Sequence, residues 1–111
     1  MTAAHMRKYR NKPQELDGYK FASKAEARRY TELAIAQKAG EITDLKVHPA
    51  FWLTVNGIEV CKYVGDFSYW TDEGKRYVLE DVKGVRTALF ILKKKLVLAC
   101  LGINVTEIKA R

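Results

Sequence analysis

"YVLEDVKG", residues 77–84, is the stretch on which the fold turns. Tyr77, Val78 and Leu79 suit burial, and then Glu80, Asp81 and Lys83 arrive with only Val82 among them. Side chains two apart on a strand share a face, so Asp81 and Lys83 go with Leu79 while Glu80 goes with Val78 and Val82. Both faces are apolar before the charges begin, which predicts a central strand covered on both sides. Open α/β sheets hold ligands at the ends of such strands. The charges mark either a strand that simply surfaces or a site.

Working outward, "TDEG" (71–74) is a turn, and "CKYVGDFSYW" (61–70) reads as a strand running back antiparallel to the first. Asp66 then falls opposite residues 79–81, within about two residues, which sets Asp66 and Asp81 side by side on one face. Asn56-Gly57 marks a hairpin turn in "FWLTVNGIEV", and "EITDLKVHPAF" alternates imperfectly before it. "SKAEARRYTELAIAQKAG" (23–40) is the clearest helix, with a Ser23–Glu26 capping box and Gly40 as its left-handed stop. Ahead of it, Asp17-Gly18 is a type I′ hairpin signal. "TALFILKKKLVLACLG" (87–102) predicts a second helix from Thr87 to Gly102, and "INVTEIKA" a last strand. The expected fold is α/β, a mixed central sheet flanked by helices in the order α-β-β-β-α-β, with three or four strands between the helices. Residues 1–12 read as a flexible basic arm and 13–111 as one domain.

No stretch approaches the roughly 18 uninterrupted apolar residues of a membrane span, and the start lacks a signal-peptide pattern, so a cytoplasmic protein without a membrane partner is expected. Cys61 and Cys100 lack metal-type spacing and suit a reducing compartment. The formal net charge is +7. Eight basic residues against three acids lie between Arg7 and Arg29, and seven against Glu107 alone from Lys83 onward. Between Glu41 and Asp81 eight acids face four bases. Two basic flanks around an acidic middle point to a polyanion, with nucleic acid slightly ahead of a merely solvated surface.

A third acid comes from the first helix. At 100° per residue Glu26 lies in line with Tyr30, Leu33, Ala34 and Gln37, the stripe expected to be buried. Its bland role is the capping box; its place at the head of the core stripe argues for more. Two carboxylates about 4 Å apart repel by roughly 4 kcal/mol at an effective dielectric near 20, so converging acids need a cation. Lys83 is one candidate. Mg²⁺ or Mn²⁺ is the stronger one, since hard divalent ions take a few carboxylates plus waters and phosphates. Zinc is not expected, because His5 and His48 are distant and lack cysteine partners at zinc-type spacing.

"GDF" with Asp66, then "EDVKG" with Asp81 and Lys83, resembles the PD-(D/E)XK nuclease signature, an acid followed after a gap by acid-x-lysine. With "KYRNK", "DGYKFASKAEARRY", "GEITDLKVHP" and "VLEDVKGVRTALFILKKKL", the chain resembles a small phage and prophage family of that restriction-endonuclease-like superfamily, on its resolvase-like and exonuclease-like side. The resemblance implies a bacterial host cell and a Mg²⁺- or Mn²⁺-dependent nuclease cutting DNA phosphodiester bonds, in recombination or DNA processing, with no small-molecule cofactor. It implies Asp66, Asp81 and Glu26 as metal ligands and Lys83 as the catalytic cation. Gly65 stands where a proline often precedes the first aspartate, Asp81 replaces a glutamate, and His48 stands where relatives tend to carry glutamine. The rival reading is a DNA-binding protein that keeps the fold and cleaves little or nothing; a third is an adaptor whose acids only cap and solvate.

Lys24, Arg28, Arg29 and Arg86 are the expected DNA contacts beside the site. Lys93, Lys94 and Lys95 point in three directions around their helix and form no single patch. Tyr9, Trp52 and Trp70 are candidates for base stacking, weighed against ordinary hairpin packing. In the second helix Leu89, Leu92, Leu96, Ala99 and Cys100 form the expected inward stripe, leaving Phe90, Ile91, Val97, Leu98 and Leu101 largely outside it. So much leftover apolar surface predicts a homo-oligomer.

Overall fold

Where "YVLEDVKG" goes is settled by what covers it. The structure, a computed structural model, describes residues 13–110. The expected arm at 1–12 and His5 lie outside them. Strands β1 (Gln14–Leu16) and β2 (Tyr19–Phe21) form a hairpin ahead of helix α1 (Lys24–Lys38). Five strands follow: β3 (Thr43–Val47), β4 (Ala50–Val55), β5 (Ile58–Val64), β6 (Phe67–Thr71) and β7 (Arg76–Lys83). Helix α2 (Ala88–Leu101) and β8 (Thr106–Lys109) complete the chain.

The main sheet has four strands in the order β3-β6-β7-β8. Strands β3, β6 and β7 pair antiparallel, and β8 joins β7 in parallel through the α2 crossover, so the sheet is mixed and β7 is internal. One face packs Phe67, Tyr69, Val78 and Val82 against Phe21, Ala27, Tyr30 and Leu33 of β2 and α1. The other packs Leu79 against Phe90 and Val97 of α2 and Leu53 and Tyr63 of the β4–β5 ribbon. The alternation of β7 is thus read correctly from its residues: Leu79, Glu80 and Asp81 are all buried, on opposite faces in turn. Both predicted hairpin turns carry positive φ at their two central residues, +51° and +83° at Asp17 and Gly18, +52° and +79° at Asn56 and Gly57.

Two expectations need correction. "CKYVGDFSYW" is not one strand: β5 ends at Val64 and β6 begins at Phe67. Strand β5 pairs only with β4, in a ribbon separate from the main sheet, and the chain changes sheets at Gly65-Asp66. The apolar–polar alternation runs on through the step, so it conceals the break, and the strands between the helices number five. The phase of α2 also differs. Phe90 and Val97 are its buried residues, whereas Leu89 and Leu92 of the expected inward stripe are 61% and 54% exposed. A helix apolar on every side does not fix its own rotation; the sheet it lands on does.

Both helices are N-capped at the residues read, although the Ser23–Glu26 box closes on the Ser23 side alone. Ser23 Oγ accepts from Glu26 N at 3.1 Å, Thr87 Oγ1 from Phe90 N at 3.1 Å, and Gly102 closes α2 in the left-handed conformation.

Candidate functional site

The sheet switch that broke the expected strand also builds the site. At Asp66 the chain leaves the ribbon and enters the main sheet: its N–H donates to Glu80 O (3.0 Å) and its carbonyl accepts from His48 N (2.9 Å). Its Oδ2 accepts from Val82 N at 2.6 Å, which pins the carboxylate to the charged end of β7. With Phe67 opposite Glu80, Asp66 extends the ladder toward Asp81, as the turn at 71–74 predicted.

Glu26 arrives from the first turn of α1, buried to 8% exposure. Its backbone serves the cap, but its carboxylate does not turn back to Ser23. Oε1 lies 3.1 Å from His48 Nε2. Glu26, His48 and Asp66 each offer one ligand atom, and these lie within 4.8 Å of one another. His48, set aside at first as distant, is therefore part of the cluster. It follows the end of β3 with φ at +54°, a backbone bend that brings its ring beside Phe21 and over the helix terminus. The histidine lacks a partner in sequence because its partners come from α1 and from the β5–β6 junction.

Asp81 stands next to Asp66 and is buried on the α2 side of β7. Both its oxygens are engaged: Tyr63 OH donates to Oδ2 at 2.5 Å and Lys83 Nζ lies 3.1 Å from Oδ1. Lys83 Nζ also sits 4.1 Å from the centroid of the Phe90 ring, so packing and charge hold it in one place. Burial pushes the Asp66 carboxyl well up, to about 8, with the Glu26 and Asp81 carboxylates adding repulsion against the lowering effect of the Val82 N–H. Burial and the bond to Asp81 likewise raise the Tyr63 phenol, which stays a hydrogen-bond donor.

Glu80, on the opposite face of β7, is spent on structure. Arg29 grips it through two bonds, Nε to Oε1 at 2.8 Å and Nη2 to Oε2 at 2.6 Å, and Tyr69 OH also donates to it. Arg29, one of the expected DNA contacts, thus turns inward, because a carboxylate with 1% exposure needs a cation. Arg86 donates to Glu107 at 2.7 Å and 3.1 Å on the surface. Lys24 is exposed at the start of α1, and Arg28 lines a cleft between α1 and β8. The structure therefore joins Glu26, Asp66, Asp81 and Lys83 into one connected site, and sets Arg29 and Arg86 to internal pairs.

The donor set suits a divalent cation. Two carboxylates and an imidazole, Glu26, Asp66 and His48, converge from α1, the β5–β6 junction and the end of β3, and Asp81 of β7 adjoins Asp66. Among the described residues Lys83 is ion-paired with Asp81, and only His48 is so placed toward Glu26. Asp66 is raised first by its burial, and the Glu26 and Asp81 carboxylates add to that rise.

The family model described as "Protein of unknown function (DUF1064)" matches residues 6–105. The chain belongs to this family. That span takes in every member of the DUF1064 chain's carboxylate cluster and Lys83. Neither the curated proteins nor the solved structures give a match. No helix among the described residues is long and apolar enough to cross a membrane.

Proposed function

We propose that this DUF1064 member is a divalent-metal-dependent nuclease of the PD-(D/E)XK type that hydrolyses DNA phosphodiester bonds, phage-type and serving recombination or DNA processing. The observation that supports this reading is the meeting of Glu26, His48 and Asp66 within 4.8 Å, with Asp81 adjoining Asp66 and Lys83 held 3.1 Å from Asp81. A fold needs no such crowding, which costs stability unless a cation offsets it.

Mg²⁺ or Mn²⁺ would be held by Glu26, Asp66 and Asp81, with His48 as a fourth donor that favours Mn²⁺. Such an ion supplies positive charge to the negative charge that develops on the phosphate. Asp66 must give up its proton for the ion to enter. Tyr63 and the Val82 N–H aim the two aspartates by holding one oxygen of each. Lys83, kept in place by Asp81 and Phe90, faces the reacting phosphate as a fixed cation and orients the attacking water. The side chains leave the general base open to His48 or to the substrate itself.

A second reading, a DNA-binding protein with little or no cleavage, draws support from the full engagement of Asp81 by Tyr63 and Lys83. Branched, duplex and single-stranded DNA incubated with Mg²⁺ or Mn²⁺ separates the two. The nuclease reading expects cleavage that Asp66→Asn and Lys83→Ala abolish while binding persists. Binding without cleavage of any substrate leaves the second reading standing, and absence of DNA binding removes both.

A further inference from the structure

The cations near the site fall into two groups. On the α1 and β8 side three of them are paired internally, Arg29 with Glu80 and Glu32, Arg86 and Lys94 with Glu107, while Lys24 and Lys109 enter no ion pair among the described residues. On the far side of Asp81 a cleft of ≈ 290 Å³ opens between β5 and α2, lined by Lys62, Tyr63, Asp81, Lys83, Thr87 and Lys93 among others. Lys62 and Lys93 form no ion pair among the described residues. Lys93 reaches across from α2 to donate to the Lys62 carbonyl at 3.1 Å, a neutral partner that leaves its charge uncompensated. Three lysines against one aspartate make this the positive approach to an otherwise acidic centre.

Beyond the cleft, the outer face of the ribbon carries Trp52, 57% exposed and directly across from Lys62. Lys62 Nζ stands 5.2 Å from the Trp52 ring centroid. An exposed indole flanked by an ammonium is the pairing that single-stranded nucleic acid uses, phosphate on the cation and base on the ring. A base inside a duplex has both faces already stacked and has none to offer Trp52.

We infer that the cleft between β5 and α2 carries the substrate strand, with Lys62 and Lys93 on its phosphates and Trp52 stacked on an unpaired base, so that the substrate is DNA with a single-stranded segment. This rests on the nuclease reading for the position of the cut, but its test measures binding alone. Fluorescent single-stranded, flap and blunt duplex DNA are titrated with the full chain in Ca²⁺ over a range of salt. The Lys62→Ala/Lys93→Ala variant binds single-stranded DNA about tenfold more weakly, with a salt slope lower by about 1.4. Lys62→Arg/Lys93→Arg restores both, and Lys75→Ala, on the β6–β7 turn, binds like the wild type. Trp52→Ala loses about tenfold on single-stranded and flap DNA and nothing on blunt duplex. Variants that fold, as shown by unchanged melting, and bind every DNA like the wild type overturn the inference and leave the nuclease reading intact. So does a Trp52→Ala variant that changes sedimentation without changing DNA affinity, which makes the ribbon a protein contact. A wild-type chain that binds no DNA overturns both.

Discussion

In the folded chain Asp66 keeps its proton up to about 8, chiefly because it is buried, and an unfolded aspartate releases it near 3.9. Between those values the folded chain binds a proton that the unfolded chain has lost, so this group favours folding at low pH and its contribution drains away as pH rises toward 8. Metal-free protein melted in chelator at pH 5 and pH 8 therefore loses more Tm over that interval as wild type than as Asp66→Asn, whose side chain does not titrate. Mn²⁺ added at pH 8 raises the wild-type Tm and leaves the variant nearly unmoved; parallel curves for the two proteins would refute the assignment. A second residue-scale prediction concerns Glu80. Glu80→Ala strands Arg29, 25% exposed, without its main partner and costs about 3–5 kcal/mol in urea unfolding. Arg29→Met/Glu80→Leu recovers most of that loss, because an apolar pair needs no desolvated charge.

At the scale of elements, Gly65 is where the chain crosses from ribbon to sheet. A Cβ there would stand 2.8 Å from Leu79 Cδ1 and 3.4 Å from the Tyr63 ring, both buried and unable to move freely. Gly65→Ala is thus expected to cost about 1–3 kcal/mol through overpacking. A Leu79→Ala background should absorb much of the penalty, and additive unfolding energies in that double-mutant cycle would contradict the contact. The same crossing explains why one strand boundary was not legible. Residue alternation reports which face a side chain takes and is blind to which sheet owns the strand. Helix α2 makes the complementary point: its caps, Thr87 and Gly102, were plain in the sequence, but its rotation was not, because Leu, Ile, Val and Phe surround it.

For the whole molecule, the rotation of α2 leaves Leu92 54% and Leu98 50% exposed, a surface that a lone chain gains nothing by showing to water. Neither lines the lysine cleft. Self-association through α2 is the expected outcome, read as a dimer in sedimentation at micromolar concentration and as a monomer after Leu92→Lys/Leu98→Lys. A wild-type chain that stays monomeric removes this expectation without touching the site. The sequence by itself determined the two capped helices, the two Asx-Gly hairpins, the double burial of β7 and the meeting of Asp66 with Asp81. Each of these depends on spacing within one segment or across one short turn. Only the tertiary structure decided that His48 joins Glu26, that Arg29 turns inward to Glu80, and that the uncompensated lysines flank Asp81. Those contacts join elements that no local periodicity links, and burial, which sets their partners, exists only once both faces of the sheet are covered.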